Sequence, residues 1–142
     1  MNIYVINVLF FGFSVFLISI LILLKRWDEL ARRWFYFSIF VTIWATYYAF
    51  LINNDTSQDY ALYAARLGNA SAAFIPVAWL YFLSNFLNKN LPRICSLGWF
   101  IAWILMISAP TNLLISSVSP SGKFIHYSEP GPLLHLHAFH FF

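Results

Sequence analysis

The sequence predicts an all-α fold, a polytopic bundle of transmembrane helices with four full spans and the start of a fifth. Composition is the first reason: 61% of the 142 residues are hydrophobic and only 9% are charged, whereas soluble domains carry about 25% charged residues. The second reason is that the apolar residues form long blocks rather than amphipathic stripes. One membrane domain covering residues 1–142 is therefore expected, with the lipid bilayer as its main partner.

The first two apolar blocks, residues 3–24 and 34–52, are the first two expected spans. Neither contains a charged side chain, and at about 1.5 Å per residue each is long enough for a hydrocarbon layer of roughly 30 Å. Lys25 and Arg26 follow the first block, whereas a secretory signal peptide carries its basic residues before the apolar stretch. The first block is therefore predicted to be a retained membrane anchor.

Two further apolar blocks, residues 67–87 and 94–115, predict the third and fourth spans. Pro76 interrupts the third block, and a proline in a membrane helix is tolerated as a kink when neighbouring groups satisfy the backbone. Residues 53–60 are polar, and residues 116–130 are dense in Ser, Pro and Gly. Both segments are therefore predicted to be loops.

Residues 131–142 begin another apolar block, with Pro132 where a helix would start. The block has twelve residues, whereas a span needs about 20. Either this segment lies along the membrane interface, or it is the first part of a fifth span that continues past Phe142. We favour the second alternative, which makes the domain incomplete.

The Lys and Arg residues predict the orientation of the bundle. Segment 25–33 carries four of them, and Lys89 and Arg93 lie in the third connection, whereas Arg66 and Lys123 lie on the opposite side. Because cytoplasmic loops are enriched in cations, the N-terminus is expected outside the cell. The net charge of +3 arises at helix ends, so it indicates topology and not nucleic-acid binding.

The third predicted helix is rich in small residues at four-residue spacings. Such stripes allow two helices to approach closely in lipid. They predict helix packing, and the alternative is a helix that slides or rotates against its neighbours during signalling. The predicted packing residues are Ala61, Ala64, Ala65, Gly68, Ala72, Ala73 and Pro76.

Arg66 and Asn69 are the candidate ligand-binding residues. They are three positions apart near the outer end of the third helix, and this spacing places them on one helix face. Polar side chains at membrane depth are candidates for function, and this pair could meet an anionic ligand from outside. The alternative is that Arg66 extends its charged group into the lipid headgroups.

Four histidines form the only side-chain cluster that resembles a metal site: His126, His135, His137 and His140. On a helix His137 and His140 share a face, but His135 points away from them. No Cys or acidic residue completes a set of ligands. Neither a metal site nor a cofactor is predicted, and the histidines are expected between helices or at the membrane interface, with pH sensing as an alternative.

Signatures of catalysis are missing from the sequence. It contains no GxSxG, HExxH, P-loop or dinucleotide-binding motif. The five carboxylates all fall in the expected loops, whereas proton-relay enzymes and ion-coupled transporters place acids inside the membrane. The chain is therefore predicted not to be an enzyme and to hold no catalytic residue, and a membrane enzyme built on the histidine cluster remains a minor alternative.

Three stretches resemble the N-terminal seven-transmembrane region of sensor histidine kinases. ALYAARLGNASAAFIPVAWLYFLSNFL is similar to the third helix of that family, FYFSIFVTIWATYYAFLI to its aromatic second helix, and GPLLHLHAFHFF to the start of its fifth. The matching positions are Trp44, Arg66, Leu67, Gly68, Ile75, Pro76, Leu83, Phe86, Gly131, Pro132 and His137.

This resemblance implies a multi-pass sensory domain in the inner membrane of a prokaryotic cell, acting in two-component signal transduction. It implies seven helices with the N-terminus outside, an unknown small-molecule or membrane stimulus, and a homodimer formed through the full-length receptor. A cytoplasmic output module would receive the signal. The alternative function is that of a small accessory subunit, or of a fragment of a membrane transporter complex.

Overall fold

The structure is a computed structural model that describes residues 3–53, 56–89, 91–121 and 124–140. Most of these residues are helical, and a short antiparallel β-hairpin follows the fifth helix. In chain order the elements are α1 (Ile3–Lys25), α2 (Glu29–Ile52), α3 (Gln58–Ala72), α4 (Phe74–Phe86), α5 (Pro92–Ser108), β1 (Ile115–Ser121), β2 (Phe124–Pro130) and α6 (Leu134–His140).

Among the described residues, three helices are long and apolar enough to cross a membrane. They are α1, α2 and the nearly continuous stretch Gln58–Phe86 formed by α3 and α4. The helix α5 is apolar but has only 17 residues, which is about 25 Å of helix. A helical membrane fold is thus confirmed, whereas the expected number of four full spans is not.

The second helix begins earlier than its apolar block. It starts at Glu29 because the carboxylate of Asp28 accepts a hydrogen bond from the backbone N–H of Ala31 at 2.8 Å, which caps the helix N-terminus. That hydrogen bond, followed by the nearby guanidinium of Arg26, holds the pKa of Asp28 below its usual value. The charged segment 25–33 is therefore largely the first turn of a helix rather than a loop.

A break at Ala73 separates α3 from α4. It lies three residues before Pro76, where a kink is expected. Proline has no N–H to bond the carbonyl four residues earlier, that of Ala72, and its ring crowds the same turn. The stretch also begins at Gln58, well before the predicted start at residue 67.

The segment expected as a loop at 116–130 forms the hairpin β1–β2, with Val118 opposite Ser128. That expectation was wrong because the two strands satisfy each other's backbone groups, although register shifts interrupt the pairing. The helix α5 ends at Ser108 rather than at residue 115. A helix is disfavoured at the residue before a proline, and Pro110 follows Ala109.

Close backbone packing joins α1 to α2. Gly12 is buried, and a Cβ atom at this position would lie 2.9 Å from the Cβ of Ala45. The hydroxyl of Thr42 donates to the carbonyl of Gly12 at 3.2 Å and to that of Ser38 at 2.8 Å. The opposite surface of α1 exposes large apolar side chains such as Phe10 and Leu21, as a lipid-facing helix does.

The main core lies between α2, α3, α4, α5 and the start of β1. Leu105, Leu114 and Ile115 are fully buried there, and the rings of Phe40 and Phe74 stack with their centroids 4.9 Å apart. Helix α2 touches α1, α3 and α4. It is therefore the central helix of the bundle.

The α1–α2 contact predicts the effect of enlarging Gly12. Gly12→Ala is expected to lower the midpoint of thermal unfolding in detergent, because overpacking of this kind costs about 1–3 kcal/mol. Adding Ala45→Gly removes the atom that the new methyl group would meet, so the two changes together are expected to cost less than the sum of their separate costs. Circular dichroism measures both single variants and the double variant, and additive losses of stability contradict the contact.

Candidate functional site

A cavity of about 400 Å³ lies between the helices and is the candidate functional site. We call it the inter-helix cavity. Residues from five helices contribute to its wall, namely Phe11 of α1, Val41 and Trp44 of α2, Asn69 and Ala72 of α3, Ile75 of α4 and His137 of α6. Its volume falls in the range of small-molecule sites, and the helix break at Ala73 lies between two of its wall residues.

The wall of the inter-helix cavity is apolar except for a few polar groups. The side-chain amide of Asn69 donates to the carbonyl of Ala65 at 2.9 Å. Trp44 stacks on Tyr48 with a centroid separation of 5.4 Å. His137 is only 6% exposed. None of the described residues that line the cavity is a Lys, Arg, Asp or Glu, so it suits a neutral, mostly apolar group far better than an ion, which would lose its hydration without a counter-charge.

Arg66 holds the turn that connects α5 to the hairpin. Its guanidinium donates to the carbonyl of Pro110 at 3.0 Å, to the carbonyl of Ile115 at 3.3 Å and to the side-chain oxygen of Asn112. We call this set of contacts the Arg66 clamp. The clamp supplies partners for carbonyl groups that lie beyond Ser108, the last residue of α5, at Pro110 and at the start of β1.

The same turn also holds the start of the last helix. The backbone N–H of Gly131 donates to the carbonyl of Leu114 at 2.9 Å, and that of Leu133 to the carbonyl of Leu113 at 2.8 Å. A Cβ atom on Gly131 would lie 2.4 Å from the carbonyl oxygen of Leu113, so only glycine fits. A continuous path of contacts therefore runs from Arg66 in α3 through the turn to α6.

The hairpin has further attachments to the bundle. The Nε2 atom of His126 lies 2.6 Å from the carbonyl oxygen of Thr56, and the side-chain amide of Gln58 donates to the carbonyl of Val118 at 3.4 Å. Within the hairpin, the hydroxyl of Ser117 donates to the carboxylate of Glu129. This hydrogen bond holds the pKa of Glu129 below its usual value, so the carboxylate is ionised at neutral pH.

Arg66 and Asn69, which the sequence places on one helix face, have different surroundings. The guanidinium of Arg66 is engaged in the clamp, whereas Asn69 lies in the wall of the inter-helix cavity. That Arg66 and Asn69 bind a ligand stays a prediction. The clamp acceptors Pro110, Asn112 and Ile115 were not foreseen, because no spacing rule pairs residues more than 40 positions apart.

The small residues of α3 lie in the interior of the bundle. Gly68 approaches α2 so closely that a Cβ atom would lie 3.3 Å from the Cβ of Tyr47. Pro76 is partly buried at the start of α4. The buried members of the stripe are Ala61, Ala64, Ala65, Gly68, Ala72 and Ala73.

The histidines are spread over different surroundings. His126 is buried against Thr56, His137 is buried at the inter-helix cavity, and His135 is exposed. The side chain of His140 lies outside the described residues. Within the described ranges, no group of three or more His, Cys, Asp or Glu residues could hold a metal ion.

Comparison with known proteins gives one match. A family model described as the N-terminal 7TM region of histidine kinase matches residues 7–142, nearly the whole chain. No curated protein and no solved structure matches the chain.

The Arg66 clamp predicts a local effect on the hairpin. Arg66→Gln is expected to raise amide hydrogen exchange in residues 110–121 about tenfold or more, because each hydrogen bond to a charged donor contributes about 1.5–3 kcal/mol. Mass spectrometry of peptides from the exchanged protein measures the change. Arg32→Gln, an exposed cation at the opposite end of the bundle, is the control, and equal exchange in both variants contradicts the clamp.

Proposed function

This chain belongs to the family of N-terminal seven-transmembrane regions of histidine kinases, and on this basis we propose how it senses a stimulus. It is a membrane sensory input region with no catalytic domain of its own. In the proposal, a small-molecule or membrane stimulus changes how the helices pack, and this change biases a cytoplasmic output module. The receptor acts as a homodimer in the inner membrane of a prokaryotic cell.

The proposed topology has four spans and the start of a fifth, with the N-terminus outside. The charge distribution supports it, because six of the eight Lys and Arg residues lie in the segments 25–33 and 89–93, which meet at one end of the bundle. Cations accumulate on the cytoplasmic side. In this topology α5 crosses the membrane despite its length, α6 begins the next span, and the hairpin lies outside.

The inter-helix cavity is the observation that carries the sensing mechanism. It is bounded by α1, α2, α3, α4 and α6, so an occupant would touch every one of these helices. The break at Ala73 gives α3 and α4 a joint at which their relative angle can change. A stimulus biases the output only if it favours one of two packing states, and filling the cavity would favour the more open state.

Arg66 and Asn69 both take part in the proposal, in different roles. Asn69 contacts the occupant of the cavity, since its side chain is part of the wall. Arg66 fixes the turn from which α6 starts, so it transmits movement between α3 and α6. The small side chains of the α3 stripe project little towards α2, and this lowers the energy barrier for α3 to slide against α2.

The test replaces Ala72 in the receptor that carries this region. Ala72→Leu and the larger Ala72→Phe fill the inter-helix cavity and are expected to shift basal autophosphorylation in membrane vesicles at least several-fold, since coupling between sites is typically about 5- to 150-fold. Two sizes are used so that a graded response separates signalling from misfolding.

Ala138→Phe is the matched control, because Ala138 lies beside His137 but is exposed. It is expected to leave autophosphorylation unchanged. Thermal unfolding in detergent checks that each variant folds. Folded Ala72→Leu and Ala72→Phe receptors with the basal rate of the control contradict the proposed sensing mechanism.

A further inference from the structure

A second cavity lies at the end of the bundle opposite the hairpin. Its volume is about 450 Å³, and it lies where the start of α2, the end of α4 and the start of α5 meet. We call it the basal pocket. In contrast to the inter-helix cavity it has charged and polar walls, formed among others by Arg33, Ser84, Asn85, Asn88 and Lys89.

Arg33 forms a rigid wall of the basal pocket. Its side chain is 14% exposed and pairs with the carboxylate of Glu29. It also donates to the carbonyl of Tyr81 at 2.8 Å and to the hydroxyl of Ser84 at 3.2 Å, and its guanidinium lies 3.8 Å above the Tyr81 ring. The Arg33–Glu29 pair is neutral as a whole, so another group must supply any net charge.

Lys89 supplies that charge. No described residue forms an ion pair with its ammonium group, and no acidic side chain lines the pocket. The end of α4 fixes its position, because Asn88 takes a left-handed conformation with φ of 51° and the N–H of Lys89 donates to the carbonyl of Ser84 at 2.8 Å. This is the hydrogen-bonding pattern of a Schellman motif.

The amides of Asn85 and Asn88 add neutral hydrogen-bond donors beside Lys89. One ammonium group and several amide donors in an open polar pocket suit an anion with several acceptor oxygens, and a phosphate group has that chemistry. Arg93 follows Pro92 of the pocket wall and adds positive potential nearby.

The surroundings of the basal pocket indicate what carries the phosphate. The apolar rim of the pocket consists of the wall residues Leu91 and Pro92 and of Leu87 and Ile94, which are next to wall residues in the chain and are exposed by 57% and 55%. The pocket also lies at the ends of apolar helices, at the level where headgroups lie in a bilayer. A ligand with both a phosphate and acyl chains satisfies the pocket and its apolar rim together, whereas a free phosphate satisfies the pocket alone.

We propose that the basal pocket binds the phosphate of an anionic phospholipid, with Lys89 as the charged contact, Asn85 and Asn88 as hydrogen-bond donors, and the acyl chains against Leu87, Leu91 and Ile94. The site is separate from the inter-helix cavity and does not depend on the sensing mechanism. A bound lipid would tie the ends of α2, α4 and α5 together at the membrane surface.

The test uses the whole chain in nanodiscs that contain equal amounts of phosphatidylglycerol and phosphatidylcholine. Native mass spectrometry after release from the nanodisc counts the lipids that remain bound. Phosphatidylglycerol is expected to be retained preferentially, and Lys89→Gln is expected to lower its retention about tenfold, the effect of losing one charge-assisted hydrogen bond to the phosphate. Asn85→Leu is expected to lower it as well.

Lys25→Gln is the matched control, because it removes the same charge from an exposed position at the end of α1 outside the pocket. It is expected to leave the retention of phosphatidylglycerol unchanged. Equal retention of the two lipids, or equal losses in Lys89→Gln and Lys25→Gln, overturns the proposal. Displacement of the lipid by millimolar inorganic phosphate assigns the pocket to free phosphate and overturns the lipid as its ligand.

Discussion

The need to satisfy every backbone N–H and C=O group without water is the constraint on which this structure depends. It explains why the long apolar blocks are helices and why the hairpin follows α5 instead of interrupting a span. It also explains the Arg66 clamp, which satisfies carbonyls at the point where Pro110 forces the chain out of a helix. At Ala73 the helix is interrupted inside the bundle, where protein surrounds the interruption; the N–H of Ala73 still donates to the carbonyl of Asn69 at 3.1 Å, and the inter-helix cavity lies beside it.

The two cavities show how the same bundle separates two kinds of chemistry. The inter-helix cavity has a mostly apolar wall with Asn69 and His137 as polar groups, which suits a signal that is itself neutral and mostly apolar. The basal pocket carries Lys89 and the Arg33–Glu29 pair, and such charges are tolerable only where headgroups and water are near. Helices α2 and α4 contribute residues to both cavities.

The sequence predicted the membrane class, the first two spans and the family, because long uncharged blocks and their flanking cations are local signals. The sequence-based predictions failed where tertiary contacts or helix caps determine where an element begins and ends. Asp28 extended α2 into a charged segment, and Ser57 precedes a helix that begins in polar residues. The hairpin was not predicted because its strands contain Ser and Pro residues, which are typical of loops. Asn69 was selected for its polarity at membrane depth and lies in the wall of the inter-helix cavity, but its role in ligand binding stays a prediction; the partners of Arg66 come from a turn far along the chain.

In the proposed mechanism, occupancy of the inter-helix cavity changes the angle between α3 and α4 at Ala73. Pulsed electron resonance tests it most directly, with spin labels at Tyr63 and Leu87, both exposed on opposite sides of the break, in a Cys95→Ser background. If filling the cavity changes this angle, Ala72→Phe is expected to change the distance between the labels, while Ala138→Phe is expected to leave it unchanged. Identical distance distributions in the two folded variants would contradict it.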